Sequence, residues 1–268
     1  MKKHFFILAI LLSALTVGYA QRFIGFAAAG ANFAQIEGDD IHGFTKLGAN
    51  AGLGLKLPVN RKQNLNVTVE LLYSQKGSYK HCSKGYFDTL NYSPVAFAFP
   101  DADIDRNEPF NPNIKCNLSL DYVQIPVMFR YEDFYTGFTF GLGFSWSRLV
   151  RIKEKYNGFT SVNNIRTSPY KYNDWSIVAD VDIRLYKNLS LGIRWDYSLR
   201  PIREMQVGFV KGRIDGVPNV EYEYRKLFNH VVSCRLVYYI NEKFMVNSKT
   251  NNKGERMGTK YVREIPEY

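Results

Sequence analysis

The sequence predicts an all-β fold: an eight-stranded antiparallel up-and-down transmembrane β-barrel with short periplasmic turns and long surface loops. Three observations carry that reading. They are an inside-out alternation in the stretch Leu118 to Arg148, the alternating lengths of the connections, and aromatic residues gathered at both ends of the strands. The stretch reads as two strands around a three-residue turn. In its second half Phe138, Phe140, Leu142, Phe144 and Trp146 alternate with Gly137, Thr139, Gly141, Gly143 and Ser145, so every large apolar side chain falls on one face. A soluble barrel turns its bulky residues inward to fill a core. A face of Gly, Thr and Ser opposite a face of Phe and Trp turns the large side chains to lipid and the small ones to a narrow polar lumen.

Composition agrees with such an inversion. The chain has 268 residues, 46% of them hydrophobic, and after the first twenty no run of eighteen apolar residues occurs, which excludes a helical span. Residues 1–20 read as a signal peptide: Lys2 and Lys3, an apolar run from Phe5 to Val17, then Gly18 and Ala20 before a mature start at Gln21. No Cys follows the cleavage point, so no lipid anchor is indicated. Export permits disulfides. Cys82 and Cys116 flank one long loop and would close it for roughly 3 to 4 kcal/mol if paired; unpaired thiols are the alternative, and Cys234 is left over. The formal charge of +10 gathers between Arg148 and Lys171, where Arg148, Arg151, Lys153, Lys155, Arg166 and Lys171 face only Glu154. Such a basic loop suits the phosphates of lipopolysaccharide, or is simply solvated. No aromatic-interleaved basic groove points to nucleic acid.

Taken in order, the first strand runs from Phe23 to Phe33, where small residues blur its faces. The second alternates Leu47, Ala49, Ala51, Leu53 and Leu55 with Lys46, Gly48, Asn50, Gly52, Gly54 and Lys56. The third sends Leu65, Val67, Val69, Leu71 and Tyr73 one way and Asn66, Thr68, Glu70, Leu72 and Ser74 the other. A long insertion from about Lys76 to Lys115 follows. The fourth turns Val123, Ile125, Val127, Phe129 and Tyr131 outward, with Pro126 requiring a bulge or a gap in the ladder because it has no amide donor. The sixth sets Trp175 to Leu185 against Ser176, Val178, Asp180, Asp182 and Arg184. The seventh sets Leu189 to Leu199 against Ser190, Gly192, Arg194, Asp196 and Ser198. After a loop from Arg200 to Lys226, the eighth sets Phe228 to Ile240 against Asn229, Val231, Ser233, Arg235, Val237 and Tyr239.

The connections therefore run long, short, long, short, long, short, long. In outer-membrane barrels one end carries tight periplasmic turns and the other extended surface loops. With an even strand number both termini fall in the periplasm, where residues 241–268 form a polar tail. Tyr73, Trp146, Trp175, Trp195 and Tyr197 lie near the loop ends and Tyr131, Tyr135, Tyr186 and Tyr238 near the turn ends. These are two girdles at the headgroup levels, where amphipathic rings are favoured.

The signal peptide, glycine-rich first hairpin, ELLYSQK (Glu70 to Lys76), YVQIPVMFRY (Tyr122 to Tyr131) and FTFGLGFSW together resemble the PorT-type outer-membrane β-barrel family of Bacteroidetes-like, Gram-negative bacteria. The resemblance covers Phe23 to Ile240 and departs in the long second loop and the C-terminal extension. It implies location and fold more than task; the eponymous member serves a secretion system.

An eight-stranded barrel is wide enough only to be filled by its own side chains or to hold one small ligand. The proposed parity places Lys46, Lys56, Glu70, Arg130, Asp180, Asp182, Arg184, Arg194, Asp196 and Arg235 inside, as a paired charge network that plugs the lumen or, alternatively, lines a narrow channel. An enzymatic role, as a rim hydrolase or acyltransferase, would need His42 or His81 beside a nucleophile, and no motif forces that; His230 reads as an interfacial residue. Asp101, Asp103 and Asp105 begin like a calcium loop, but Arg106 and Pro112 stand where Gly and Glu are required. No catalytic, metal or cofactor site is therefore assigned. The expected role is non-enzymatic: a structural, adhesive or secretion-accessory barrel whose loops and tail meet envelope proteins.

Overall fold

Each period-two segment forms a strand because alternate side chains find opposite surroundings, polar lumen on one side and an apolar exterior on the other. The computed structural model describes residues 23–38, 43–60, 63–81, 86–88, 93–95, 115–134, 136–156, 159–161, 164–214, 217–240, 243–250 and 256–264. The ring is built from β1 (Ile24–Glu37), β2 (Lys46–Pro58) and β3 (Leu65–His81). After the short β4 (Tyr86–Asp88) and β5 (Ser93–Val95) come β6 (Lys115–Glu132), β7 (Phe138–Tyr156) and the short β8 (Phe159–Ser161). It is completed by β9 (Asn173–Tyr186), β10 (Leu189–Ser198) and β12 (Val217–Tyr239), while β11 (Arg203–Ile214) pairs with the first half of β12 outside the ring. Neighbours pair in the order β1, β2, β3, β6, β7, β9, β10, β12. The β1–β12 ladder, from Phe26 opposite Tyr239 to Glu37 opposite Phe228, closes the eight-strand circle.

The exterior is apolar: Leu47, Leu53, Phe129, Phe140, Leu142, Phe144, Val181 and Ile193 are all exposed. The structure also settles the first strand, whose even-numbered residues, among them Ile24, Phe26, Ala28, Asn32 and Ile36, point inward. Pro126 sits at a gap: the β3–β6 ladder is interrupted between Val69 opposite Val127 and Leu72 opposite Gln124. The β6–β7 connection is longer than the three residues expected. Residues 133–137 form it, with Gly137 N donating to Asp133 O at 2.9 Å and Thr136 Oγ1 to Asp133 Oδ2 at 2.7 Å.

At the loop end three segments expected as loops are strands. The insertion does not begin at Lys76, because β3 runs on to His81 and stays paired with β6 from Gly77 opposite Ser119 to His81 opposite Lys115. The basic segment from Arg148 continues β7 to Tyr156. The segment Arg200 to Lys226 is largely β11 and the first half of β12, paired from Arg203 opposite Leu227 to Ile214 opposite Val217. These extensions hold because their own inner side chains pack. Ile36, Leu118, Leu120, Tyr122, Leu149, Ile152, Tyr170, Ile202, Met205 and Leu227 form one buried apolar cluster. The loop-side crown is thus built like a soluble β-protein, apolar within.

One bulge makes that change of character possible. Tyr122 lies opposite Leu149 and Asp121 opposite Arg151, so Val150 is the extra residue on β7. Without it Arg151, Lys153 and Lys155 would inherit the inward parity of Ser147 and Leu149. With it Ile152 and Glu154 turn in and the three basic residues turn out. Past the ring, residues expected as a polar tail pair as a two-stranded antiparallel sheet, β13 (Lys243–Thr250) with β14 (Arg256–Glu264).

Candidate functional site

Six buried cations and six buried carboxylates project into the lumen: Lys56, Lys76, Arg130, Arg184, Arg194 and Arg235 against Glu70, Glu132, Asp174, Asp180, Asp182 and Asp196. At the centre Arg194 holds Glu70 in bidentate fashion, Nη1 to Oε2 at 3.0 Å and Nη2 to Oε1 at 2.6 Å, and also donates to Asp180 Oδ2 at 2.8 Å. Arg235 bridges the same two acids, donating to Glu70 Oε2 at 2.8 Å and to Asp180 Oδ2 at 3.0 Å. Arg130 pairs with Asp182 at 2.7 Å and also with Asp180. Buried charge is tolerable only when paired and hydrogen-bonded in this manner.

Layers above and below complete the filling. Toward the turn end Lys56 pairs with Glu132. The Tyr239 ring there lies between the Lys56 ammonium at 4.7 Å and the Arg184 guanidinium at 4.1 Å, beside the apolar Ile24, Phe26, Ala28 and Val237. Toward the loop end Lys76 lies 3.1 Å from Asp196 and 3.5 Å from Asp174. Between these and the central layer Asn32 accepts from Asn50 at 2.6 Å and Ser233 at 2.8 Å and donates to Ser74 at 3.0 Å. The void lined by Asn32, Asn50, Ser74, Lys76, Gln124 and Asp196 amounts to about 10 Å³, room for about one water molecule.

The small residues of the inner face have a specific use. A Cβ on Gly141 would stand 2.2 Å from Asp180 Oδ1, one on Gly192 1.8 Å from Asp182 Oδ1, and one on Gly54 2.2 Å from the Phe26 ring. The bare face is the space into which the charged side chains of neighbouring strands fold.

Nine of the ten charges expected inside are in this network, and Lys46 is not. Its Nζ donates to Asn117 Oδ1 and Ser119 Oγ, each at 2.6 Å. Those residues alternate with the inward Leu118 and Leu120, so Lys46 reaches over the outer face of the β3–β6 ribbon instead. Lys76, Glu132 and Asp174 were missed, though each continues the inward parity of its strand by one step, from Ser74, Arg130 and Ser176. Nor does Glu154 face the basic residues: it turns inward, accepting from Tyr170 Oη at 2.7 Å, with Arg203 Nη1 3.8 Å away. Arg151 and Lys171 are paired instead with Asp121 at 2.5 Å and Glu204 at 2.7 Å.

On the exterior, Tyr73, Tyr131, Trp175, Trp195, Tyr186 and Tyr238 are exposed, while Trp146, opposite Trp175, and Tyr197 are half-buried. His230 sits among them. Its Nδ1 lies 2.7 Å from Glu37 Oε1, and Trp195 Nε1 donates to its Nε2 at 2.7 Å. The second Glu37 oxygen accepts from Tyr197 Oη at 2.9 Å. With Trp195 on Nε2, and Glu37 and Gln35 on Nδ1, the imidazole is fixed in place at the rim. Cys234 is exposed and unpaired. His42, Cys82, Asp101, Asp103, Asp105, Tyr135 and residues 1–20 lie outside the described residues, as do the side chains of His81 and Cys116. Among the described residues no cluster of His, Cys, Asp and Glu could hold a metal ion.

A closed ring of eight antiparallel strands with exposed apolar residues outside and paired charges inside defines a membrane-spanning β-barrel. The chain belongs to the outer membrane protein beta-barrel domain family, whose model matches residues 20–204. No curated protein matches it significantly in sequence. Among solved structures it is similar to Neisserial surface protein A, at 12% identity and a TM-score of 0.39, over 81% of this chain and 97% of that one. It is also similar to Ail, the attachment invasion locus protein of Yersinia pestis, at 9% identity and a TM-score of 0.39, over 81% and 98%. A third similar structure is OprG of Pseudomonas aeruginosa, at 10% identity and a TM-score of 0.31, over 81% and 95%.

Proposed function

We propose that this outer-membrane barrel is a non-conducting, non-enzymatic scaffold that holds a folded crown at the cell surface for binding partners, with both termini in the periplasm. The observation that carries the reading is the pairing of two differently filled halves. The lumen is blocked by six cations against six carboxylates, and the loop side is built around its own apolar core. A conduit needs neither feature. A display platform needs both, because a rigid base fixes the geometry of what stands on it.

A secretion-accessory role is the second reading. It is favoured by the stretches ELLYSQK and YVQIPVMFRY, which support a place in the PorT-type branch, and by the β13–β14 pairing, which gives a periplasmic partner an ordered surface.

The test has two parts. Purified barrel in planar bilayers is expected to pass no steady current, and intact cells treated with protease are expected to lose epitopes placed between residues 82 and 114 while retaining one placed at residues 251–255. Ohmic conductance, or cleavage at both positions in intact cells, overturns the reading.

A further inference from the structure

We infer that the outward face of the β3–β6–β7 ribbon is a binding site for a phosphorylated sugar of an outer-leaflet glycolipid, built from Lys46, Lys153 and Lys155 around Asn117 and Ser119. Register assembles it. Asn117 lies opposite Lys155, Ser119 opposite Lys153 and Asp121 opposite Arg151, and directly opposed residues in an antiparallel pair share a face. On the other flank Ser119 lies opposite Gly77. That position bears no side chain and admits none: its φ is +139° and a Cβ would stand 2.1 Å from Leu118 O. Lys46 donates to both Asn117 and Ser119 at 2.6 Å, which brings its ammonium within reach of the charges of Lys153 and Lys155.

The charges are unbalanced. Among the described residues Asp121 is the acid that acts on Lys46, and it is already engaged by Arg151 Nε at 2.5 Å and Tyr73 Oη at 2.7 Å. Among the described residues neither Lys153 nor Lys155 meets a carboxylate. Half-burial and the two neighbouring ammonium groups push the Lys46 amine below its ordinary value, against the pull of Asp121, which is the state an anion would relieve.

Height selects the anion. Along β7 the outward residues pass from Phe144 through Trp146 and Arg148, which covers the Tyr172 ring at 4.9 Å, to Arg151, Lys153 and Lys155. Lys153 is roughly 20 Å along the strand from Trp146, on the order of 15 Å above it at a barrel tilt of about 40°. A glycerophospholipid phosphate lies at the aromatic level and cannot reach so far. The saccharide of a glycolipid can. The site rests on exposure of this end at the cell surface, which the protease assay reports independently of any lipid.

The experiment compares the refolded mature chain in micelles with a Lys46→Gln/Lys153→Gln/Lys155→Gln variant, with the corresponding triple Arg variant, and with Lys187→Gln as a turn-end control. The probes are lipopolysaccharide with a phosphorylated core, the same material after dephosphorylation, and phosphatidylglycerol vesicles. The Gln variant, and dephosphorylation of the ligand, are each expected to weaken lipopolysaccharide binding at least tenfold. Arg substitution is expected to restore it, while Lys187→Gln and phosphatidylglycerol binding stay unchanged. Undiminished binding by the Gln variant, equal binding of the dephosphorylated material, or a parallel loss toward phosphatidylglycerol overturns the site. The first of these with the crown still cleavable in cells removes the site and leaves the scaffold reading standing.

Discussion

Arg194 and Glu70 join hands across the full width of the barrel: β10 and β3 stand diametrically opposite in the ring, and two parallel hydrogen bonds, 3.0 and 2.6 Å, connect them. Lys76 and Asp196 repeat the link between the same two strands one layer higher, at 3.1 Å. Cross-lumen pairs of this kind tie together strands that share no ladder. The backbone circle is thereby braced from within as well as closed at β1–β12.

Removing Glu70 should therefore be costly. Glu70→Gln leaves Arg194 and Arg235 buried beside Asp180 with one acid fewer between them, and breaking a buried pair costs about 3–5 kcal/mol. Urea unfolding of the refolded barrel, followed by heat-modifiable gel migration, is expected to show a midpoint lowered accordingly. A double-mutant cycle with Arg194→Gln should return a coupling of about 1–3 kcal/mol. Additive effects of the two substitutions would mean that the bidentate contact contributes nothing of its own.

The glycines of the inner face should be irreplaceable where a neighbouring atom already occupies the space of a Cβ, and a glycine turned outward with open space beside it should be tolerant. At Gly192 a Cβ would lie 1.8 Å from Asp182 Oδ1, so Gly192→Ala must push Asp182 away from Arg130, which it meets at 2.7 Å. Overpacking of this kind costs about 1–3 kcal/mol. Gly25 has the outward parity of β1 and its nearest atom is Ile240 Cδ1 at 3.5 Å, an ordinary contact, so Gly25→Ala serves as the outer-face control and is expected to leave the unfolding midpoint in place. Equal sensitivity at the two positions would contradict the role given to the bare face.

Much of this was legible in residue order, and the limits have a physical cause. Alternation showed which side chains of the second, third and sixth to eighth strands point inward, because period two leaves only two choices and Leu47 or Ile193 cannot share a face with Asn50 or Arg194. It faltered at strand ends. Lys76 stands at the edge of an insertion rich in Tyr, Asn, Pro and Asp, yet it obeys the parity of Glu70 and Ser74. The crown was illegible for a different reason: the β7 bulge at Val150 reverses parity in mid-strand, so Ile152 and Glu154 follow a pattern that the preceding residues do not announce. Nothing in the spacing of Tyr170, Arg203 and Glu154 says that they meet, since they come from a loop and two separate strands. Lys46 shares the inward parity of Asn50 and Lys56, but its long side chain carries the ammonium to Asn117 and Ser119, which parity alone does not show.

Tyr170 provides a separate handle on the crown through pH. Burial, and then the Glu154 carboxylate beside it, raise its phenol well above the ordinary value near 10, against the opposing pull of Arg203 from β11. A raised value in the folded state means that the folded crown holds the proton where the unfolded chain releases it. The associated stability is therefore fully present below pH 10 and is lost as pH rises past it, at about 1.4 kcal/mol per pH unit for one proton. The expected result is a crown that loosens in strong alkali while the barrel beneath stays closed. Hydrogen exchange in β11 and the crown half of β7 should accelerate between pH 10 and 12 beyond the intrinsic rise of base-catalysed exchange, and exchange in the ladders around Gly192 should follow that intrinsic rise alone. Tyr170→Phe deletes the ionisation, so its crown should lose the alkaline step at the cost of a weaker crown at neutral pH, where Glu154 no longer receives the hydroxyl proton at 2.7 Å. An alkaline step that survives in Tyr170→Phe would assign it to some other group.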